Sequence, residues 1–215
     1  MSLRFDTSDP QSRASGLESA ASACRRGDLV VLPTDTVYGV GCDAFSPTGV
    51  ARLLAAKGRG RDMPVPVLVG SPETVEGLAY GLSKAARDLI EAFWPGALTV
   101  IVRHQPSLAW DLGDAQGTVA LRMPLHPVAI ELLRIVGPMA VSSANRSGSP
   151  AATTYEEAEV QLGDSVAIYL DAGPSGEAVP STILDVSGAT PRLRRLGAID
   201  LETLRSVCPA IEVAD

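Results

Sequence analysis

Hydroxyls, a carboxylate, a phenol and glycines crowd one short segment, Pro33-Thr34-Asp35-Thr36-Val37-Tyr38-Gly39-Val40-Gly41. Short hydroxyl side chains can bond a small polar ligand, and glycines let it approach the backbone. The same residues also make a tight, self-bonded turn. Lys57-Gly58-Arg59-Gly60-Arg61 is the dense basic cluster, with Arg52 shortly before it. Its lysine offers a point charge and its arginines a planar fork for phosphate, although a solvated basic turn has the same composition. Val141-Ser142-Ser143-Ala144-Asn145-Arg146-Ser147-Gly148 runs from apolar residues into hydroxyls and an amide. That suits a strand end where α/β proteins gather ligands, or an asparagine-capped turn. Arg122 sits within a strand otherwise made of Val119, Ala120, Leu121 and Met123. A guanidinium there needs a buried anion, either a structural carboxylate or that of a ligand. Pro180-Ser181-Thr182 enters another strand, and Arg194-Arg195 either adds a phosphate contact or faces water.

Several chemistries find no support. There is no GxxxxGK[ST] and no GxGxxG, so the standard nucleotide loops are missing. No GxSxG elbow occurs, and neither His104 nor His126 has an evident aspartate partner for a serine nucleophile. The 3 cysteines, Cys24, Cys42 and Cys208, lack CxxC spacing and are odd in number, which points to idle buried thiols. No metal site is expected. The formal charge of −7 excludes a globally basic RNA binder, so an anionic ligand must be held by a local cluster.

The elements that must position these groups read as a mixed series. At 215 residues the chain holds one to two domains of ~150 residues. Its 46% hydrophobic and 20% charged residues are those of an ordinary globular protein. No apolar run of about 18 residues is available to span a membrane. The polar start Met1-Ser2-Leu3-Arg4-Phe5-Asp6 lacks a signal-peptide stretch, so a cytoplasmic location is expected. Leu17, Ala20, Ala21 and Cys24 recur at helical spacing, with Gly27 placed to end that helix. Further helices are predicted after Ser46-Pro47, after Ser71-Pro72, over Lys84 to Phe93 and Val128 to Ile135, after Thr154 with Glu157 reaching back, and after Asp200. Strands are predicted at Leu29–Leu32, Val65–Val69, Leu98–Val102, Thr118–Met123, Met139–Val141, Val166–Leu170 and Thr182–Val186, the second at an edge or bulge because of Pro66. Strands and helices mix without repeat or linker. The expectation is a single α/β domain over residues 10–207, an open twisted mixed sheet with flanking helices. Residues 1–9 and 208–215 read as terminal tails.

Taken in order, PTDTVYGVG (33–41), KGR (57–59), TVALRMP (118–124), SSANRSG (142–148), PSTILD (180–185) and RLG (195–197) resemble the YrdC family of threonylcarbamoyl-AMP synthases. The resemblance covers Leu17 to Val207 and is similar to the single-domain form. It departs at Gly60, where relatives often have proline, at Met63-Pro64-Val65, where many have Asn-Pro-Leu, and at Leu68, where some longer relatives place a histidine on threonine. It implies a sheet with a basic concave face. The implied reaction joins L-threonine, bicarbonate and ATP into L-threonylcarbamoyl-adenylate and pyrophosphate, with Mg2+ arriving on the ATP. A threonylcarbamoyl transferase complex would consume the product on tRNA, next to the anticodon. Carried over by motif, Lys57 and Arg59 form the catalytic pair on the nucleotide phosphates. Met63, Thr118, Ser143, Asn145 and Arg195 complete the ATP site, and Thr36, Arg122 and Ser181 bind threonine. Rival readings are a non-catalytic RNA-binding module of this fold and a carbamoyl-phosphate enzyme of related fold.

Overall fold

Short polar caps start the helices, and proline follows several of them. The computed structural model describes residues 2–176 and 178–213. Helix α1 (Pro10–Arg25) opens on Asp9, whose carboxylate accepts from Ser12 N at 2.7 Å. Helix α2 (Pro47–Lys57) opens on Ser46, which accepts from Gly49 N at 3.1 Å. Helix α3 spans Thr74–Leu78, and α4 (Lys84–Phe93) opens on Ser83. Helix α5 covers Pro127–Val136, α6 (Tyr155–Leu162) opens on Thr154, and α7 (Leu201–Val207) opens on Asp200. Each cap satisfies an amide that the first helical turn leaves unpaired. The predicted start at Ser71 is displaced: α3 follows Glu73 with no side-chain cap, and Ser71 instead lies 3.3 Å from the Thr74 hydroxyl. The Glu157 carboxylate reaches back to Thr153 N at 2.7 Å.

The strands are β1 (Leu3–Asp6), β2 (Val30–Leu32), β3 (Gly39–Asp43), β4 (Val67–Leu68), β5 (Leu98–Arg103) and β6 (Thr118–Arg122). They continue with β7 (Met139–Ser143), β8 (Ile168–Asp171), β9 (Thr182–Asp185), β10 (Arg192–Arg195) and β11 (Glu212–Val213). Among the described residues they form one open sheet in the order β1-β8-β2-β3-β7-β4-β6-β5-β9-β10-β11. Parallel pairs such as β4–β6 and β5–β9 alternate with antiparallel ones such as β3–β7 and β5–β6, so the sheet is mixed as expected.

Three expectations are corrected. The stretch read as an N-terminal tail contains β1, which pairs with β8 from Leu3↔Ile168 to Asp6↔Asp171 and is tied by Arg4 to Asp171 at 2.5 Å. The C-terminal tail contains β11, paired with β10. Strand β4 lies inside the sheet, between β7 and β6, and not at an edge. Pro66 is accommodated because it precedes the strand, and its carbonyl accepts from Val141 N at 2.9 Å.

The alternation of side chains decides what each sheet face does. One face packs Val31, Val40, Val67, Val100, Leu121 and Leu184 into the larger core, which includes Leu53 of α2 and Leu89 of α4. The opposite face packs Val30, Leu32, Leu68, Met139 and Leu170 against α1 and α5 through Leu17, Cys24, Val128 and Leu132. Arg13 on α1 and Glu131 on α5 are joined at 2.6 Å. The same face of β5, β6 and β9 carries Thr99, Ile101, Thr118, Ala120, Arg122 and Ile183, which border a hollow of about 560 Å³. The site therefore begins where the α1–α5 layer ends.

Strand β3 pairs with β7 at very close range. A Cβ on Gly41 would lie 2.6 Å from both Ala140 O and Val141 Cγ2. Gly41→Ala is expected to cost ~1–3 kcal/mol by overpacking, read as a lowered urea midpoint; an unchanged midpoint would show that the β3–β7 contact is slack.

Candidate active site

Three arginines reach the hollow from three different elements. Arg122 comes from the end of β6, Arg195 from the end of β10, and Arg59 from the turn after α2. No Asp or Glu lines the hollow among the described residues. A chain with a net charge of −7 thus concentrates positive charge on one part of its surface. Burial pulls the pKa of each of the three guanidinium groups below its ordinary value. At Arg122 the Asp35 carboxylate opposes that effect, and the positive charge of Arg195 adds to it.

Arg122 is 6% exposed and held on three sides. Its Nε donates to Gly96 O at 2.9 Å, Nη1 to the Thr36 hydroxyl at 3.0 Å, and Nη2 to Asp35 Oδ1 at 2.6 Å. The anion facing this buried guanidinium in the protein is therefore Asp35, which sequence reasoning did not single out. The signal was its place in the 33–41 segment. Thr36 is itself buried, 3.1 Å from the Thr34 hydroxyl. Ser181 shares a 2.8 Å hydrogen bond with Thr99, and Arg195 donates to Ser181 O at 2.8 Å and to its hydroxyl at 3.2 Å. Register explains why these groups meet: Leu68 pairs with Arg122, Thr99 with Ile183, and Ile183 with Arg195.

On the other side of the hollow, Arg59 Nη2 donates to Pro64 O at 3.0 Å and Nη1 lies 3.4 Å from the Ser142 hydroxyl. Its Nε is buried without a hydrogen-bond partner. Ser143 and Thr118 line the hollow, and the Thr118 hydroxyl also donates to Ala115 O at 2.8 Å. Asn145 lines it too. Its amide nitrogen, however, donates to Arg146 O and Ser149 O, both at 2.8 Å, so it shapes the wall.

Two residues of the expected ATP site are placed elsewhere. Met63 is 44% exposed and is not among the lining residues. Lys57 is 4% exposed, and it too is outside the lining. Its ammonium donates to Ser143 O at 2.6 Å and Asn145 O at 2.7 Å, with Asn145 Oδ1 at 3.4 Å. Its own carbonyl accepts from Ser147 N at 2.9 Å. Lys57 thus grips the 143–147 turn at both ends, because Gly58 (φ +60°) ends α2 against that turn. Burial, and then the neighbouring Arg59 charge, push its pKa down to about 8.

No group of three or more metal-ligating side chains occurs among the described residues. None of their helices is long and apolar enough to cross a membrane. The fold and the site together define an α/β protein with an arginine-bordered hollow on the uncovered half of its sheet.

The family model for Sua5/YciO/YrdC, described as telomere recombination, matches residues 22–197, and the chain belongs to that family. A Mycobacterium tuberculosis protein with a provisional threonylcarbamoyl-AMP synthase name is 62% identical over 207 residues, covering 96% of this chain and 95% of its own. The Bacillus subtilis threonylcarbamoyl-AMP synthase is 38% identical over 97% of this chain and 60% of its own longer one. The Pyrococcus abyssi Sua5 structure complexed with L-threonine superimposes with a TM-score of 0.92 at 31% identity, over 100% of this chain and 62% of that one. Escherichia coli YciO, at 24% identity and a TM-score of 0.84, shares the fold.

The Lys57 grip has a measurable titration. The side-chain nitrogen is expected to titrate near pH 8, against 10.5 for a free lysine, in a 15N-detected experiment. The unfolded chain then holds the extra proton between those values, so this group's contribution to stability rises with pH across that window and is absent below it. Lys57→Met should take the ammonium donor from the buried Asn145 carbonyl, while Ser143 O keeps Asn145 N, at ~1–3 kcal/mol, and speed amide exchange across residues 144–149. A midpoint at the free-lysine value with unchanged exchange would contradict the grip.

Proposed function

We propose that this protein joins L-threonine, bicarbonate and ATP into threonylcarbamoyl-AMP and releases pyrophosphate. The observation that carries the reading is the convergence of Arg59, Arg122 and Arg195 on one hollow with no carboxylate among its described lining residues, in a family whose relatives bear that enzyme name. The substrates bring a carboxylate, a carbamate and a triphosphate together, and their mutual repulsion must be neutralised before any bond can form.

Arg122 has five N–H donors. Its contacts to Gly96, Thr36 and Asp35 use three of them and leave one on each terminal nitrogen. That pair suits the threonine carboxylate, with the Thr36 and Ser181 hydroxyls beside it. Arg59 and Arg195 take the phosphates, with Thr118 and Ser143 along the nucleotide. Asn145 holds the wall, and Lys57 holds the turn that carries Ser143. Threonine's unprotonated amine adds to CO2 drawn from bicarbonate and loses a proton to give the carbamate. A carbamate oxygen then forms a bond to the α-phosphorus as the bond to pyrophosphate breaks. The protein aligns and neutralises the reactants, and no side-chain nucleophile is required. Mg2+ would arrive with the nucleotide and supply charge neutralisation at its phosphates; the described residues of the lining include no carboxylate to hold it. The product passes to a threonylcarbamoyl transferase complex that modifies tRNA next to the anticodon, and the reaction belongs to the cytoplasm.

Incubation with ATP, bicarbonate and threonine is expected to yield a threonine-dependent adenylate and pyrophosphate. Salt-dependent RNA binding without that product would favour the binding-module reading, and turnover of carbamoyl phosphate the carbamoyl-transfer one. Loss of a charge-assisted contact worth ~1.5–3 kcal/mol corresponds to roughly 10- to 100-fold. Arg122→Ala should raise the threonine KM by that factor and leave the ATP KM nearly unchanged. Equal effects on both substrates would make Arg122 a structural residue.

A further inference from the structure

A carboxylate supports the proposed threonine reader from the protein side. Asp35 Oδ1 accepts from Arg122 Nη2 at 2.6 Å and from Leu125 N at 2.9 Å. Asp35 is not among the residues lining the hollow, and its side chain is 15% exposed. Thr36 and Gly96 O hold the guanidinium at two further points. Three supports at three different nitrogens fix both the position and the plane of a rigid group.

We propose that Asp35 is a positioning residue, which sets the plane of Arg122 so that its two remaining N–H groups face a ligand carboxylate. Geometry separates this from the alternative, a counter-anion that substrate must displace. Oδ1 is shared with a backbone amide of the β6–α5 connection, so displacement would break two hydrogen bonds, one of them part-buried. The sheet leaves Asp35 little choice of place: it comes three residues after the end of β2, and Leu125 three residues after the end of β6. The proposal rests on the threonine reading above.

The test compares two variants that separate place from charge. Asp35→Asn keeps an oxygen acceptor where Oδ1 stands and removes the charge. Asp35→Glu keeps the charge and moves it by one methylene. Positioning predicts that D35E raises the threonine KM roughly 10- to 100-fold, the scale expected when a reacting group is misplaced by about 1 Å. D35N should stay close to the wild type, and the ATP KM should hold in both. A D35N enzyme with a lowered threonine KM would instead make Asp35 a competing anion and overturn the proposal. So would a folded D35E enzyme with unchanged kinetics.

A second readout needs no turnover. In the wild type and D35N, the Arg122 terminal nitrogens should give resolved, slowly exchanging NMR signals; in D35E they should average. Averaged signals in the wild type would contradict the fixed plane directly. A wild type with resolved Arg122 signals but no threonine-dependent product would overturn the proposed function and leave the positioning role standing.

Discussion

Like charges held close together repel, and the architecture of this protein is organised around tolerating that. Three guanidinium groups border one hollow, and burial works against the charge on each. Arginine keeps its proton under these conditions, so the fold must hold the charges by force of hydrogen bonding. It does so from behind. Gly96 O, Pro64 O and Ser181 O each accept from one guanidinium, and Asp35 supplies a full negative charge to Arg122 from outside the lining. The cation surface is left facing the space between them.

The sheet makes this placement possible because its two faces are covered unequally. Helices α1 and α5 cover one face only as far as Leu68 and Val141. Beyond that point the same alternation that buries Val100 and Leu121 on the far side turns Thr99, Ala120 and Arg122 into the hollow. Site residues on regular strands are held more precisely than residues on loops. The loops supply Arg59 and the 144–149 segment, and there a buried ammonium, Lys57, replaces strand pairing as the organising contact.

Much of this was legible in the residues, for reasons that can be named. Proline after a polar cap marked the start of α2 to the residue, since both signals act within one helical turn. Arg122 in an apolar strand announced a buried anion. Its partner was not legible, because Asp35 lies 87 positions away and only the sheet brings them together. Lys57 misled for the same reason. Lysine at a helix end beside two arginines reads as a surface phosphate contact, whereas its acceptors lie 86 and 88 positions on. Strand β3 escaped notice because Gly39 and Gly41 read as loop residues; they are glycines because β7 passes too close for a Cβ. Strands β1 and β11 are short outer strands whose own patterns carry little signal.

The convergence of cations is tested most directly by a crystal structure with L-threonine and a non-hydrolysable ATP analogue. Both molecules should occupy the one hollow, with the carboxylate on the Arg122 terminal nitrogens and the phosphates within reach of Arg59 and Arg195. A nucleotide bound away from Arg59 and Arg195, or a threonine carboxylate turned away from Arg122, would contradict the account.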